Sequence, residues 1–275
     1  MNGYVDFHSG ILPRMDVKNV EAGADESVEI LKILHKAKIK TVVATPYFNS
    51  VDDNVPSFLA KREESYKFLE KKVQGVSLPR VILGAEVLFT TSLLDIRDLD
   101  KLCVGNTNYI MLALPYQEYS EMVLETLQKI IISKNLCPVI AHIEKYLEFY
   151  TIEQIEKISS LGVIMQLSCD AIINRTTRKS ALELLSRNVV QIIGSNDITK
   201  DEGTRTKIEV AMNVLNKDVT KDLLTSNLSD VTSPSPQYAD AIRIMRYHLP
   251  LGKYKQIKNN AGMIISNANI KDIMC

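Results

Sequence analysis

Seven times along this chain a short run of β-branched and apolar residues alternates with longer stretches of helical spacing. The runs lie at residues 4–8, 41–45, 81–87, 109–114, 138–141, 162–167 and 189–193. Helical patterns fall at 24–38, 58–73, 118–133, 152–159, 178–186, 207–215 and 239–247. In the first of these, Val28, Ile30, Leu31, Leu34 and Ala37 repeat on one helical face. Strands separated by helices are joined by crossovers, and crossovers make parallel sheets. The run Val81-Ile82-Leu83-Gly84-Ala85-Glu86-Val87 is apolar almost throughout, as in a strand covered on both faces. No long Pro/Gly/Ser linker divides the series. The expectation is one α/β domain over residues 1–275, with a barrel-like parallel sheet ringed by helices. Residues 226–237, with Pro234 and Pro236, read as a surface loop.

Polar residues collect where the runs end. The first ends in Asp6-Phe7-His8 and the third in Gly84-Ala85-Glu86. The fifth ends in Ala141-His142-Ile143-Glu144, and the last in Gly194-Ser195-Asn196-Asp197. Sites in parallel α/β sheets sit at the C-terminal strand ends, so His8, Glu86 and His142 can meet at one mouth although distant in sequence. Two imidazoles and a carboxylate are a set suited to zinc, iron or manganese. Taken singly, each has a plainer reading as a hydrogen-bonded structural residue. His35 and His248 stand in helical or post-helical contexts and read as structural or solvated.

Other chemistries find no footing. There is no GxSxG elbow, no Walker A run and no dinucleotide fingerprint. Lys plus Arg is 33 and Asp plus Glu is 33, so net charge does not direct the chain to nucleic acid. No apolar stretch is long enough for membrane insertion, and the opening residues lack the pattern of a secretory signal. Cys103, Cys137, Cys169 and Cys275 form no CxxC pair and read as reduced thiols of a cytoplasmic protein.

The polar strand ends resemble the motifs of one known family. Asp6-Phe7-His8-Ser9-Gly10-Ile11-Leu12-Pro13 resembles Asp-x-His-Ser-His-Ile-Leu-Pro, the opening motif of the bacterial PHP-domain, manganese-dependent protein-tyrosine phosphatases. Thr45-Pro46-Tyr47-Phe48 resembles their Thr-Pro-His-Phe, and Gly84-Ala85-Glu86 matches their Gly-Ala-Glu. Ala141-His142-Ile143-Glu144-Lys145-Tyr146 resembles Ala-His-Ile-Glu-Arg-Tyr, and Gly194-Ser195-Asn196-Asp197-Ile198 resembles Ala-Ser-Asp-x-His. The motifs keep the family order. The resemblance implies a PHP-type, distorted TIM-like (β/α)7 barrel and a multinuclear manganese or iron centre. It implies a role in capsule and exopolysaccharide regulation, acting on the phosphotyrosine tail of a polysaccharide-chain-length tyrosine kinase.

The departures bear on what the resemblance implies. Gly10, Tyr47 and Ile198 stand where the family has histidines, Ala113 where it has a glutamate, and Asn196 where it has an aspartate. Lys145 replaces an arginine and loses its bidentate fork. Asp16 matches an acidic position just after the first motif, and Asp197 falls one residue late for the family ligand. The implied metal set is His8, Glu86 and His142, with Asn196 as a weak fourth ligand. Lys145 and Arg205 are the implied catalytic cations. The expectation is at most one manganese or iron ion, with none as the alternative, and phosphatase activity that is impaired or altered. The competing expectation is a non-catalytic paralogue that binds a phosphopeptide or a kinase.

Overall fold

The computed structural model describes residues 4–13, 15, 20–196, 206–216 and 253–267. Asp16, Asp197, Ile198, Arg205, His248, Cys275, the expected loop at 226–237 and the expected helix at 239–247 lie outside the described residues.

Nine parallel strands are present among them: β1 (Tyr4–Ser9), β2 (Ile39–Ala44), β3 (Tyr47–Phe48), β4 (Arg80–Leu83), β5 (Glu86–Leu88), β6 (Tyr109–Ala113), β7 (Cys137–Ile140), β8 (Ile164–Ser168) and β9 (Ile192–Gly194). The helices are α1 (Val20–Lys36), α2 (Val55–Val73), α3 (Glu121–Lys134), α4 (Ile152–Ser159), α5 (Cys169–Ile173), α6 (Arg178–Ser186), α7 (Lys207–Asn216) and α8 (Lys253–Ile265). Short 3-10 turns lie at Thr91–Asp95, Leu99–Leu102 and Ile143–Glu148.

All seven expected runs appear as strands; one of them is broken in two, and one short strand, β3, lies beyond them. The run at 41–45 stops at Pro46, which has no N–H to give to a ladder, and the chain pairs again only beyond it, as the unexpected β3. The run at 81–87 breaks beside it at Gly84-Ala85 and resumes as β5. The two bend together: Gly84 N–H donates to Ala44 O at 2.8 Å, and Glu86 N–H to Pro46 O at 3.1 Å. The ladder is thus divided into a sheet β1-β2-β4 and a sheet β3-β5-β6-β7-β8-β9.

The sheets also meet at their other edges. Ser9 bridges Asn196 in parallel. Asn196 N–H donates to His8 O at 2.8 Å, and Gly10 N–H to Asn196 O at 3.2 Å. Asn196 makes this turn with φ of 69°, a left-handed conformation that asparagine tolerates better than most residues. The result is a curled, partly open parallel sheet, a distorted barrel of the kind expected.

Strand periodicity sorts the core into an inside and an outside. Phe7, Val43, Ile82, Tyr109, Met111, Val139, Ile164 and Ile192 fill the barrel. Leu31, Leu34, Val42, Leu127, Ile130, Ile155 and Leu185 join sheet and helices on the outside. Each such side chain contributes about 1.5–3 kcal/mol on burial. Helix α8 crosses the N-terminal mouth, adding Ala261 and Ile264 to the interior cluster. Asn260 Nδ2 donates to Gln191 O at 2.8 Å, and Lys258 lies over the Tyr4 ring. With that end covered, the opposite mouth carries the polar strand ends.

Candidate metal centre

His8 is the fifth residue of β1, and its backbone is fixed before its ring is used. The Asp6 side chain is fully buried. It accepts from Ser195 N–H at 3.0 Å, from the Ser195 hydroxyl at 2.5 Å and from His8 N–H at 3.3 Å. Burial holds the Asp6 carboxyl above its usual range, against those hydrogen bonds. This clamp ties β1 to the end of β9. Gly194 completes it: a Cβ there would lie 2.6 Å from His8 Cβ.

Glu86 opens β5 just after the Gly84-Ala85 break, so the bend in the sheet sets its direction. His142 follows β7 and turns into the 3-10 segment Ile143–Glu148 with φ of 53°. That left-handed backbone is uncommon for a histidine and is held by a bond from His142 N–H to Gln166 Oε1 at 2.9 Å.

The three side chains converge. His8 Nε2 lies 3.3 Å from Glu86 Oε2, and His142 Nε2 lies 3.9 Å from Glu86 Oε1. The imidazoles face each other with ring centroids 4.6 Å apart. One ligand atom from each residue lies within 4.8 Å of the others. Donors on bonds of about 2.0–2.2 Å around one ion stand about 3–3.6 Å apart, so a small inward rotation completes the set.

The electrostatics suit a cation. Burial pushes the His142 imidazole down to about 2, helped by the neighbouring His8 and Lys145 and opposed by a hydrogen bond with Asn196. The ring is therefore neutral at ordinary pH, the form that ligates. Its Nδ1 is buried without a hydrogen-bond partner among the described residues, and stands 3.9 Å from Glu144 Oε1. Glu144 is held by Ser168, whose hydroxyl donates to Oε1 at 2.5 Å and whose N–H donates to Oε2 at 3.1 Å. Burial raises the Glu144 carboxyl above its ordinary value.

The remaining expected site residues are distributed unevenly. Asn196 reaches His142 by its side chain. Lys145 is exposed on the turn after His142, its charge felt by both His142 and Glu144. Tyr47 pairs with Glu86 across β3 and β5 and is half exposed. Burial and the Glu86 charge hold its phenol above the ordinary value of 10.0, so it stays protonated and is a poor ligand. Gly10 lies in an exposed turn, and Ala113 ends β6 opposite Leu88. Neither side chain can bind a cation.

Two residues of this site escaped the reading of the sequence. Gln166 interrupts the apolar run Val163-Ile164-Met165-Gln166-Leu167 and is fully buried beneath both histidines. The signal was there, because a buried polar side chain requires partners, but the sequence does not say which. Gly194 stands in the motif Gly194-Ser195-Asn196-Asp197, but the sequence does not show that His8 packs against it.

The comparisons with known proteins agree with this geometry. The profile of the family described as capsular polysaccharide synthesis, CpsB/CapC, matches residues 4–232. Among solved structures, one superimposes with a TM-score of 0.70 at 19% identity, covering 96% of this chain and 95% of the other. It belongs to work on YwqE from Bacillus subtilis and CpsB from Streptococcus pneumoniae, described as unique metal-dependent tyrosine phosphatases. A histidinol phosphate phosphatase from Lactococcus lactis, with zinc, L-histidinol and phosphate, gives 0.46 at 10% identity over 78% of this chain and 93% of the other. That likeness is too remote to bear on the site. No curated protein matches the sequence. The profile match over most of the chain, with three ligand residues gathered at the barrel mouth, places this protein in the CpsB/CapC family, with a metal site reduced to His8, Glu86 and His142.

Proposed function

We propose that this chain is a one-metal phosphomonoester hydrolase directed at phosphotyrosine, with turnover well below that of a family member carrying a full ligand cage. The observation that carries the reading is the convergence of His8, Glu86 and His142 at the C-terminal mouth of a family barrel. When bound, a manganese or iron ion would supply positive charge to polarise a phosphoryl oxygen and make a water acidic enough to attack. His8 and His142 would hold the ion as neutral donors, and Glu86 would neutralise part of its charge. Asn196 would complete the set as a weak neutral oxygen. Lys145 and Arg205 would hold the phosphate dianion.

Slow turnover follows from the charge balance. Gly10 and Ala113 offer no donor, and Tyr47 keeps its proton. A site with one cation in place of two or three stabilises less of the charge that develops in the transition state. The natural substrate in this reading is the phosphotyrosine-bearing tail of a polysaccharide-chain-length tyrosine kinase, and the compartment is the cytoplasm. Among the described residues no helix is long and apolar enough to cross a membrane.

A second reading has its own support. Ground-state binding of a phosphate needs only attraction, which Lys145 and Arg205 offer without any activated water. The chain would then be a phosphopeptide-binding paralogue. Metal content of protein purified from manganese-replete culture, with turnover of a phosphotyrosine peptide, separates the two. The hydrolase reading expects one equivalent or less of tightly bound ion and a slow rate abolished by His142→Ala. No metal and no rate, with retained phosphopeptide binding, would favour the paralogue. Two or more equivalents would overturn the reduced site.

A further inference from the structure

Gln166 touches both histidines of the site through a single oxygen. Its Oε1 accepts from His142 N–H at 2.9 Å and stands 3.4 Å from His8 Nδ1. The other end of the same amide, Nε2, donates to Leu167 O at 2.8 Å. The amide cannot flip, because flipping would set an N–H against the His142 N–H and an oxygen against the Leu167 carbonyl. The atom facing His8 Nδ1 is therefore an acceptor. A hydrogen bond between them requires the proton on Nδ1.

The other face of the His8 ring meets a competing acceptor. Glu86 Oε2 lies 3.3 Å from His8 Nε2. A neutral imidazole has one proton for two nitrogens, so Gln166 and Glu86 compete for it. If Glu86 held it, the proton would block the nitrogen that points into the site. If Gln166 holds it, Nε2 presents a lone pair beside the carboxylate. The two acceptors differ in their surroundings: Gln166 is fully buried and has no other donor among the described residues for that side of its oxygen, whereas the Glu86 side chain is reached by solvent. Gln166 is also held in place, since Gly194 leaves so little room that a Cβ there would sit 3.1 Å from Gln166 Nε2 and 2.6 Å from His8 Cβ.

We propose that Gln166 is the positioning residue of the metal centre, fixing the Nδ1–H tautomer of His8 and, through the same oxygen, the left-handed backbone that aims His142. It acts through the two histidines and does not touch the ion. The proposal rests on the reading of His8 and His142 as ligands, but its primary test does not require an ion. Outer-sphere partners of this kind typically change metal affinity by about 10–100-fold.

The experiment is long-range proton–nitrogen NMR of the histidine rings in metal-free protein, paired with calorimetric titration of manganese alone into wild type, Gln166→Leu and Gln166→Glu. In wild type His8 Nδ1 is expected to carry a proton. In Gln166→Leu the neutral ring is expected to move its proton to Nε2, facing Glu86, and manganese affinity to fall about 10–100-fold. Gln166→Glu keeps the acceptor oxygen when its acid form donates an O–H to Leu167 O in place of Nε2, and at a pH low enough for that form it is expected to restore the Nδ1 proton. An unprotonated Nδ1 in wild type overturns the proposal whether or not any variant folds. So does a folded Gln166→Leu whose His8 tautomer and manganese affinity equal those of wild type. Wild type that shows the Nδ1 proton yet binds no manganese upholds the tautomer assignment and instead overturns the hydrolase reading.

Discussion

At the scale of single residues, the site is made by groups that cannot be moved independently. Gly194 shows this most sharply. A methyl group there would meet His8 Cβ at 2.6 Å and His8 N at 3.0 Å, both parts of a backbone clamped by Asp6 and Ser195. Gly194→Ala is therefore expected to destabilise the fold by about 1–3 kcal/mol, the usual effect of overpacking, and to weaken manganese binding by displacing His8. Thermal unfolding and metal titration of the same preparation check both parts. Tyr47 gives a converse case. It faces Glu86 across the β3–β5 ladder and stays protonated. Tyr47→His would place an imidazole at that position, and tighter manganese binding by calorimetry is the expected outcome.

The sequence made the ligand candidates legible at this scale because each ends an apolar run, and the barrel rule places such ends together. It did not make Gln166 legible. A mid-strand glutamine announces that it must be satisfied, but its partners, His142 24 residues away and His8 158 residues away, come only from strand order.

At the scale of elements, two features set the site's shape. The first is the paired break at Pro46 and Gly84-Ala85, which adds β3 after one expected strand, splits another in two and lets Glu86 begin a new strand at the mouth. Pro46 marked the end of one strand in the sequence. In the other, the apolar Val87 follows Glu86 directly, so nothing in its pattern announced that Gly84-Ala85 would bend with it.

The second is α8, which covers the opposite end. Asn260 is buried and satisfies the Gln191 carbonyl. Asn260→Ala leaves that carbonyl without its donor and is expected to cost about 1–3 kcal/mol, read as a lower denaturant midpoint with unchanged slope.

Lys253, at the start of α8, adds a pH dependence. Its amine is buried beside Asn188, to which it donates at 2.7 Å, and burial holds it down to about 8 from its ordinary 10.5. The folded state thus disfavours the charged form. Below about pH 8 both states are protonated and the full burial cost is present. Between about 8 and 10.5 the unfolded chain binds more protons, so this contribution makes stability rise with pH. A gain on the order of 1–3 kcal/mol is expected across that window. Denaturant unfolding at several pH values, with Lys253→Met as reference, isolates it. The variant should lack this rising component.

At the scale of the whole molecule, the barrel and the family are more complete than the site. The strand–helix rhythm specified a parallel, curled sheet because it follows from crossover geometry and apolar patterning, which are properties of every segment. The number of ions depends instead on a few side chains, and at Gly10, Tyr47, Ala113 and Asn196, the positions that the family resemblance marks as donors, this chain keeps the barrel with residues that bind a cation weakly or have no group to bind one. In the proposed reading, fold and catalytic capacity have therefore separated in this chain.

The central claim is a centre of at most one ion that still works, slowly, through His8, Glu86 and His142. The most direct measurement is manganese stoichiometry at saturation, by equilibrium dialysis and elemental analysis, alongside phosphotyrosine-peptide turnover for wild type and Glu86→Gln. The account predicts a single saturable site, a slow chelator-sensitive rate, and loss of both in Glu86→Gln. Two or more equivalents, or a rate that chelator and Glu86→Gln leave intact, would contradict it.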